Sequence, residues 1–138
     1  MSAVLNATIQ IEGEGRGRVL KLGKPISFWG GVDPVSGRIS DPRHPNHQAE
    51  LKGRVLVLPG MIGSSSSSYI MLELMAKRLA PAALVVAEPD AILGLGVVVA
   101  REMNYGSIPV LVLPRDRQAE LADGAEVSIG RDGSIRLV

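Results

Sequence analysis

The middle of the sequence alternates between short apolar runs and longer segments with helical spacing. Residues 53–59 form a continuous apolar run, which is typical of a strand buried on both faces. Residues 69–79 place apolar side chains on one side of a helix that ends near Pro81. A further strand, helix and strand follow, at residues 83–86, 92–103 and 109–113. This alternation predicts an α/β fold with a parallel-sheet core and flanking helices.

The N-terminal third shows a weaker pattern. Residues 7–11 and 18–22 alternate between apolar and polar positions, and Gly13, Gly15 and Gly17 lie between them. We interpret the two segments as short strands joined by a hairpin turn at the glycines. The glycines do not match the Gly-x-Gly-x-x-Gly pattern that binds dinucleotides, so a nucleotide site is not expected there.

A long segment without periodicity follows this β region. Residues 24–29 continue the β pattern, whereas residues 30–50 contain three prolines and no period. We expect a loop, and loops of this length in compact domains are usually functional or disordered. Phe28 and Trp29 stand at its entrance, and we expect both rings to be buried in the core. The C-terminus predicts a helix and then a hairpin, at residues 115–121, 126–129 and 134–137.

Length and composition predict one globular domain spanning residues 1–138. The 46% hydrophobic and 21% charged residues are a balance that supports a packed core. Because fifteen basic residues are scattered among fourteen acidic ones, nucleic acid is not an expected partner. No apolar run is long enough to cross a bilayer, so we expect a cytoplasmic protein without a membrane partner. The chain has no cysteine, which excludes a cluster ligated by its own sulfur atoms.

The strongest chemical signal is a run of five serines, Ser64 to Ser68, that follows Gly63. The run lies between a predicted strand and a predicted helix. Backbone N–H groups at a helix N-terminus attract anions, so a phosphate or carboxylate would fit there. The simpler interpretation is that one serine caps the helix and the others form a solvated turn. A catalytic serine also needs an activating neighbour or an anion-stabilising site, so the sequence leaves both interpretations open.

A second cluster of chemically active residues lies in the predicted loop. Asp41, His44 and His47 offer one carboxylate and two imidazoles at three-residue spacing. Pro42 and Pro45 prevent that spacing from lying on one face of a helix. Zinc sites need three or four protein ligands, so we predict no metal site in this chain. We expect His44 to bind an anion or to complete a turn.

Three segments resemble the small subunit of the aconitase X enzymes. They are Ser-Phe-Trp-Gly-Gly-Val-Asp-Pro at 27–34, Gly-Arg-Val-Leu-Val-Leu-Pro-Gly at 53–60 and Gly-Ser-Ser-Ser-Ser-Ser-Tyr at 63–69. The resemblance spans nearly the whole chain. It implies a swivelling β/β/α domain that closes over an iron–sulfur cluster, of the 4Fe–4S type, held by a large partner subunit. The absence of cysteine in this chain agrees with that arrangement.

The resemblance also implies a hydro-lyase activity. Separate small subunits in archaea look like those of phosphomevalonate dehydratase, an enzyme of the mevalonate route to isoprenoids. That enzyme removes water from mevalonate 5-phosphate to give trans-anhydromevalonate 5-phosphate. Fused aconitase X proteins in bacteria include hydroxyproline dehydratases, which are the alternative activity. The expected partners are therefore the large subunit, in a heterodimer or larger assembly, and a small phosphorylated hydroxy acid.

The resemblance further implies roles for individual residues. Ser64 matches the serine that takes the proton from carbon, and Ser65 replaces it if the register differs by one. The wider aconitases follow their two serines with an arginine that binds substrate carboxylate, whereas this chain has Ser66. We expect six residues to contact the substrate or its reacting atoms: Gly30, Gly31, Gly63, Ser64, Ser65 and Ser66.

Two alternatives come from other functional classes. The C-terminal half also looks like the swivelling phosphohistidine domain of phosphoenolpyruvate-using enzymes, in the run Val-Val-Ala-Arg-Glu at 98–102. The phosphorylated histidine of that family corresponds to about Leu95, and this chain has no histidine after His47. The phosphocarrier hypothesis therefore lacks its acceptor. The second alternative is a noncatalytic domain that only docks on an enzyme.

Overall fold

The computed structural model describes residues 4–138, which form ten strands and four helical segments. The strands are β1 (Val4–Asn6), β2 (Thr8–Ile11), β3 (Gly15–Lys21), β4 (Val32–Asp33), β5 (Arg38–Ile39), β6 (Val55–Leu58), β7 (Ala83–Val86), β8 (Val110–Val112), β9 (Glu126–Ile129) and β10 (Ser134–Leu137). The helical segments are α1 (Phe28–Gly31), α2 (Ser67–Ala76), α3 (Ala91–Glu102) and α4 (Arg115–Gln118). α1 is a tight turn, since Trp29 and Gly30 have non-helical dihedral angles.

Eight of these strands form one mixed sheet with the order β1-β10-β9-β3-β6-β7-β8-β2. The central strands β3, β6, β7 and β8 run parallel, with Val55 opposite Val19 on one side and Ala83 on the other. The predicted parallel core is therefore confirmed. The outer pairs are antiparallel, including the predicted C-terminal hairpin of β9 and β10.

Side chains on the parallel strands divide between two hydrophobic cores. Because successive residues of a strand point to opposite faces, Leu56 and Leu58 pack with α2 and α3, whereas Val55 and Val57 pack toward β9 and β10. All four residues of β6 are buried, which explains why its sequence is continuously apolar. The result is a layer of helices, a parallel layer and a second β layer, as the resemblance implied.

The N-terminal segment holds both ends of the sheet together. β1 pairs with β10 at one end of the strand order, and β2 pairs with β8 at the other. Only Ala7 separates β1 from β2, and its N–H donates to the Gly133 carbonyl at 3.0 Å. Since consecutive Cα atoms lie about 3.8 Å apart, the two ends of the sheet must meet. The sheet therefore curls round on itself, and a single segment covers both edges.

The predicted hairpin at the three glycines is wrong. β2 and β3 do not pair, because β3 lies in the middle of the sheet between β6 and β9. The glycines instead cross the beginnings of the parallel strands at close backbone distance. A Cβ atom would lie 3.2 Å from Pro109 N at Gly13, 2.8 Å from Ala82 O at Gly15, and closest of all to Gly53 O at Gly17. The glycines are therefore needed because the backbone passes close to the segments that precede β8, β7 and β6.

The expected long loop and the expected burial of two aromatic rings also need correction. Residues 30–50 contain a small antiparallel hairpin, in which Val32 faces Ile39 and both are buried. The β continuation at 24–29 is reduced to one bridge between Ile26 and Met61. Phe28 is fully buried, but Trp29 is 54% exposed, because the turn of α1 sends the neighbouring rings in different directions.

Replacing Gly17 by alanine is expected to destabilise the fold. The added methyl group would overlap the Gly53 carbonyl, which is backbone and cannot move aside alone. We expect a loss of about 1–3 kcal/mol in the free energy of unfolding, measured by urea denaturation. Arg16→Ala is the matched control on the same strand, since that side chain is exposed and its one ion pair within residues 4–138 is with Glu126. This variant should change stability by less than about 0.5 kcal/mol. Equal midpoints for the two variants would contradict the proposed crossing.

Candidate functional site

The candidate site lies at the carboxyl ends of β6 and β7. Since the two strands are parallel, the segments that follow them leave the sheet at the same edge, where α/β proteins commonly bind ligands. The segment after β6 leads to the serines, and the segment after β7 leads to α3. Between them is a cavity of about 300 Å³. It is lined by Leu58, Pro59, Gly60, Met61, Gly63, Val86, Ala87, Glu88, Pro89 and Asp90.

The structure sorts the five serines into two groups. Ser67 is buried, and its Oγ accepts a hydrogen bond from the Trp29 N–H at 3.2 Å. The Ser68 Oγ donates to the Ser65 carbonyl at 2.9 Å. These two hydroxyl groups therefore hold the turn together. Within residues 4–138, the hydroxyl groups of Ser64, Ser65 and Ser66 have no protein hydrogen-bond partner, so they are available to a ligand.

The beginning of α2 has no side-chain cap. Its N-cap residue is Ser66, whose hydroxyl makes no capping hydrogen bond. The Ser67 N–H donates to the Ser64 carbonyl, but in the described part of the chain the N–H groups of Ser64, Ser65 and Ser66 donate to no other residue. The capping interpretation is therefore wrong. Three consecutive N–H groups remain at the positive end of a ten-residue helix, which favours a negatively charged group.

A second cavity, of about 420 Å³, lies on the other side of this segment. Ile62 lines it, whereas Met61 and Gly63 line the first cavity, so one short stretch of chain separates the two. The Ile62 N–H donates to the Ile26 carbonyl at 3.0 Å, which fixes that stretch. Gly30 and Gly31 line the second cavity, together with Ser27, Trp29, Ser40, Asp41, Pro42, Arg43 and His44.

The predicted site residues thus surround one edge of the fold but do not share one cavity. Gly63 belongs to the first cavity, and Gly30 and Gly31 belong to the second. Ser64 is partly buried and follows Gly63 directly, yet it lines neither cavity. The Trp29–Ser67 hydrogen bond joins the glycine turn to the serine helix. The geometry therefore places both motifs at one edge of the fold, with Ser64 directly after Gly63 of the first cavity and two residues after Ile62 of the second.

His44 has a structural role. It is buried, its Nδ1 accepts from the Asn46 N–H, and its Nε2 lies 3.0 Å from the Lys24 carbonyl. A backbone donor at one nitrogen and a carbonyl at the other assign the proton to Nε2, so the ring is neutral and both nitrogens are occupied. The Asn46 side chain also accepts from the Gly23 N–H at 2.9 Å. Of the two roles expected for His44, completing a turn is the observed one.

The neighbouring Asp41 is oriented by its own loop. Its Oδ1 accepts from the Arg43 N–H at 3.0 Å, and this hydrogen bond lowers the pKa of the carboxyl group. The nearby charge of Arg43 lowers that pKa further. Its Oδ1 also lies 3.6 Å from the Arg43 Nε. Asp41 is therefore ionised at neutral pH and holds the base of the Arg43 side chain.

Sequence reasoning missed the residues that follow β7. Asp90 caps α3, since its Oδ1 accepts from the N–H groups of Ile92 and Leu93. The Gln10 side chain makes two hydrogen bonds to the Asp90 backbone: its Nε2 donates to the Asp90 carbonyl, and its Oε1 accepts from the Asp90 N–H. Asp90 stands directly before an apolar helical run, which is the usual signature of an N-cap and was a usable signal. Glu88 carries no comparable signal, because only the parallel pairing brings it beside the serine segment.

An iron–sulfur cluster does not fit the side chains of this chain. The sequence has no cysteine, and residues 4–138 contain no group of three His, Asp or Glu side chains that could hold a metal ion. A membrane span is a separate question. The longest helix of the described residues, α3, has twelve residues, and none of the described helices is long and apolar enough to cross a membrane.

Comparisons with known proteins agree with this architecture. The sequence model of the aconitase X swivel domain family matches residues 4–137. The chain is 38% identical over 127 residues to the phosphomevalonate dehydratase small subunit of Methanothermobacter thermautotrophicus, covering 91% of this chain and 92% of that protein. It is 43% identical over 112 residues to the cis-3-hydroxy-L-proline dehydratase of Pseudomonas aeruginosa, covering 81% of this chain but only 19% of that protein.

A solved structure gives the same result. The crystal structure of Thermococcus kodakaraensis aconitase X in its holo-form matches with a TM-score of 0.85 and 28% identity, covering 99% of this chain and 98% of that chain. The sequence match and the structural match both span nearly the whole chain. The chain belongs to the aconitase X swivel domain family.

Proposed function

We propose that this chain is the small subunit of a dehydratase, in which Ser64 is the general base and mevalonate 5-phosphate is the substrate. The observation that carries the proposal is the uncapped start of α2, where free hydroxyl and N–H groups lie beside a cavity at the carboxyl ends of β6 and β7. A serine used only as a cap would make the side-chain hydrogen bond that is missing here.

The proposed step for this chain is a proton transfer. The Ser64 Oγ, as an alkoxide, takes a proton from the carbon next to the substrate carboxylate, while hydroxide leaves the adjacent carbon and a C=C bond forms. The Ser64 hydroxyl then gives up that proton, which combines with the hydroxide to form water and restores the alkoxide. An alkoxide is a strong base but is costly to form. Exposed N–H groups and the positive end of α2 lower that cost, because they stabilise negative charge on oxygen. Closure against a partner would exclude water and strengthen these interactions.

The partner in this proposal is a large subunit that carries a 4Fe–4S cluster and assists departure of the hydroxyl group. Two observations support a partner at the serine surface. The exposed apolar side chains Trp29, Ile62 and Tyr69 lie around the serines, with exposed fractions of 54%, 58% and 54%. Exposed aromatic and apolar groups beside polar ones are typical of interface positions. The relative from Methanothermobacter thermautotrophicus is itself named a small subunit.

Two substrates have specific support. Mevalonate 5-phosphate is supported by the alignment that covers about nine tenths of both chains. A hydroxyproline is supported by the higher identity, 43%, to a cis-3-hydroxy-L-proline dehydratase, although this chain spans about a fifth of that protein. We place mevalonate 5-phosphate first because an anion-binding helix terminus suits a substrate with two anionic groups.

Replacing Ser64 by alanine should abolish turnover in the complex reconstituted with the large subunit. Loss of a general base typically costs about 100- to 10,000-fold in rate, and we expect a decrease of kcat in that range. The large subunit should still copurify with the variant, since the Ser64 hydroxyl makes no contact that holds the fold. Steady-state kinetics and size-exclusion chromatography measure the two results.

Two further serine variants make this experiment decisive. Ser107→Ala removes an exposed hydroxyl next to β8, away from the serine run, and should leave kcat unchanged. Ser65→Ala tests the register, because full loss there together with an active Ser64→Ala protein would assign the base to Ser65. Near-normal turnover by both Ser64→Ala and Ser65→Ala would reject a serine base at these positions and favour a noncatalytic docking domain.

The substrate assignment predicts a preference in kcat/KM. The reconstituted complex should convert mevalonate 5-phosphate at least about 100-fold more efficiently than cis-3-hydroxy-L-proline, since a site that pairs a phosphate discriminates strongly against a ligand without one. Both reactions can be followed by mass spectrometry of the products. A reversed preference would support the proposed dehydratase activity but reject mevalonate 5-phosphate as the substrate.

A further inference from the structure

We propose that Arg43 binds an anionic group of the substrate, in the second cavity and at a distance from the reacting carbon. This inference rests on the proposed function, since it assigns a binding residue to the same reaction. It commits to an oxyanion, either phosphate or carboxylate, as the chemistry recognised.

The charges around the two cavities differ. The first cavity is lined by the acidic residues Glu88 and Asp90 and by no basic residue among those described. The second is lined by Arg43, whose charge is permanent, by Asp41, whose carboxylate already accepts from the Arg43 N–H and lies 3.6 Å from the Arg43 Nε, and by His44, which is neutral. An anionic group is repelled by the two carboxylates of the first cavity, whereas in the second cavity Arg43 offsets the charge of Asp41 and its two Nη groups can still donate to the ligand. A dianionic substrate at the serines therefore directs one anionic end toward Arg43.

One nitrogen of the Arg43 guanidinium group lies beside a carboxylate, and the other two are available to a ligand. Its Nε lies 3.6 Å from the Asp41 Oδ1, and within residues 4–138 its two Nη nitrogens donate to no protein acceptor. The side chain is 91% exposed, so it can present both Nη groups to a ligand. The two Nη groups can donate parallel hydrogen bonds to two oxygen atoms of a phosphate or carboxylate, a paired geometry that lysine lacks.

The backbone below Arg43 is fixed. The buried His44 ring lies against the Lys24 carbonyl, and the Asn46 side chain accepts from the Gly23 N–H. These contacts fasten the loop on both sides of its turn, so a ligand orders only the arginine side chain. Binding to such a preorganised site costs less entropy than binding to a mobile loop.

Gly30 leaves room for a ligand in the second cavity. Gly30 has a φ angle of +84°, and no atom lies within 4 Å of the position that a Cβ would occupy there. Ile62, on the same cavity, is two residues from Ser64, so their Cα atoms are separated by at most about 7.6 Å. Ser64 therefore lies within the length of a small hydroxy acid from the nearest lining residue of this cavity.

The kinetic test uses Arg43→Ala in the reconstituted complex. Losing a charged hydrogen-bonding partner that acts equally on substrate and transition state raises KM and leaves kcat unchanged. We expect KM for mevalonate 5-phosphate to rise about 10- to 100-fold, with kcat within about twofold of wild type. Arg43→Lys keeps the charge but not the fork, and should give an intermediate KM.

Arg131→Ala is the matched control. Arg131 is also an exposed arginine beside carboxylates, with its Nε 3.2 Å from the Glu14 Oε1, but it lies near the start of the glycine crossing at the opposite edge of the sheet. It should leave KM unchanged. An unchanged KM for Arg43→Ala in an active complex would overturn the proposal, as would an equal rise for Arg131→Ala.

A binding measurement keeps the proposal testable if the complex turns over neither candidate substrate. In that case the proposed function fails, and the isotope-labelled full chain is titrated with inorganic phosphate or acetate while its amide NMR signals are recorded. Shifts of the Gly30, Gly31, Ser40 and Arg43 signals that disappear in Arg43→Ala would support an oxyanion site, and the stronger ligand would identify phosphate or carboxylate. Absence of such shifts with both ions would overturn it.

Discussion

The parallel pairing of β6 with β7 is the interaction on which the candidate site depends. It brings the serine segment and the capped start of α3 to one edge of the sheet, although about twenty-five residues separate the strands in sequence. The pairing is stable only because both faces of these strands are covered, by α2 and α3 on one side and by the second β layer on the other. Gln118 strengthens the same edge, since its buried amide donates to the carbonyls of Leu58 and Leu113.

The two helices at this edge begin in opposite ways. α3 starts with a capping carboxylate, Asp90, which two N–H groups satisfy and which Gln10 holds in place. α2 starts with free N–H and hydroxyl groups, despite having five serines from which to form a cap. Leaving those groups without partners sacrifices stability that an N-cap would provide, typically about 1 kcal/mol. Such a local departure from the stabilising arrangement is characteristic of functional sites. The contrast supports a ligand at α2 and a structural role for the start of α3.

Much of the fold was accessible from local patterns. Continuous apolar runs located β6 and β7 because both faces of these strands are buried, and helical spacing located α2 and α3 to within a few residues. The patterns failed where a residue's role comes from a distant part of the chain. Gly13, Gly15 and Gly17 resemble turn residues in the sequence. In the structure a side chain is excluded at these positions, because the backbone before the parallel strands lies too close to them. Trp29 is a residue type that is usually buried, yet the turn at α1 exposes its side chain.

The sequence by itself determined the alternation of strands and helices in residues 53–113, the absence of sulfur ligands and the position of the serine run. These properties depend on residue type and local spacing, and they sufficed for the family resemblance that the comparisons confirmed. Only the tertiary structure decided which serines are occupied, which carboxylates face the first cavity and which cation faces the second. The physical reason is that hydrogen-bond satisfaction and electrostatic environment are set by neighbours in space, and here those neighbours come from segments far apart in the chain.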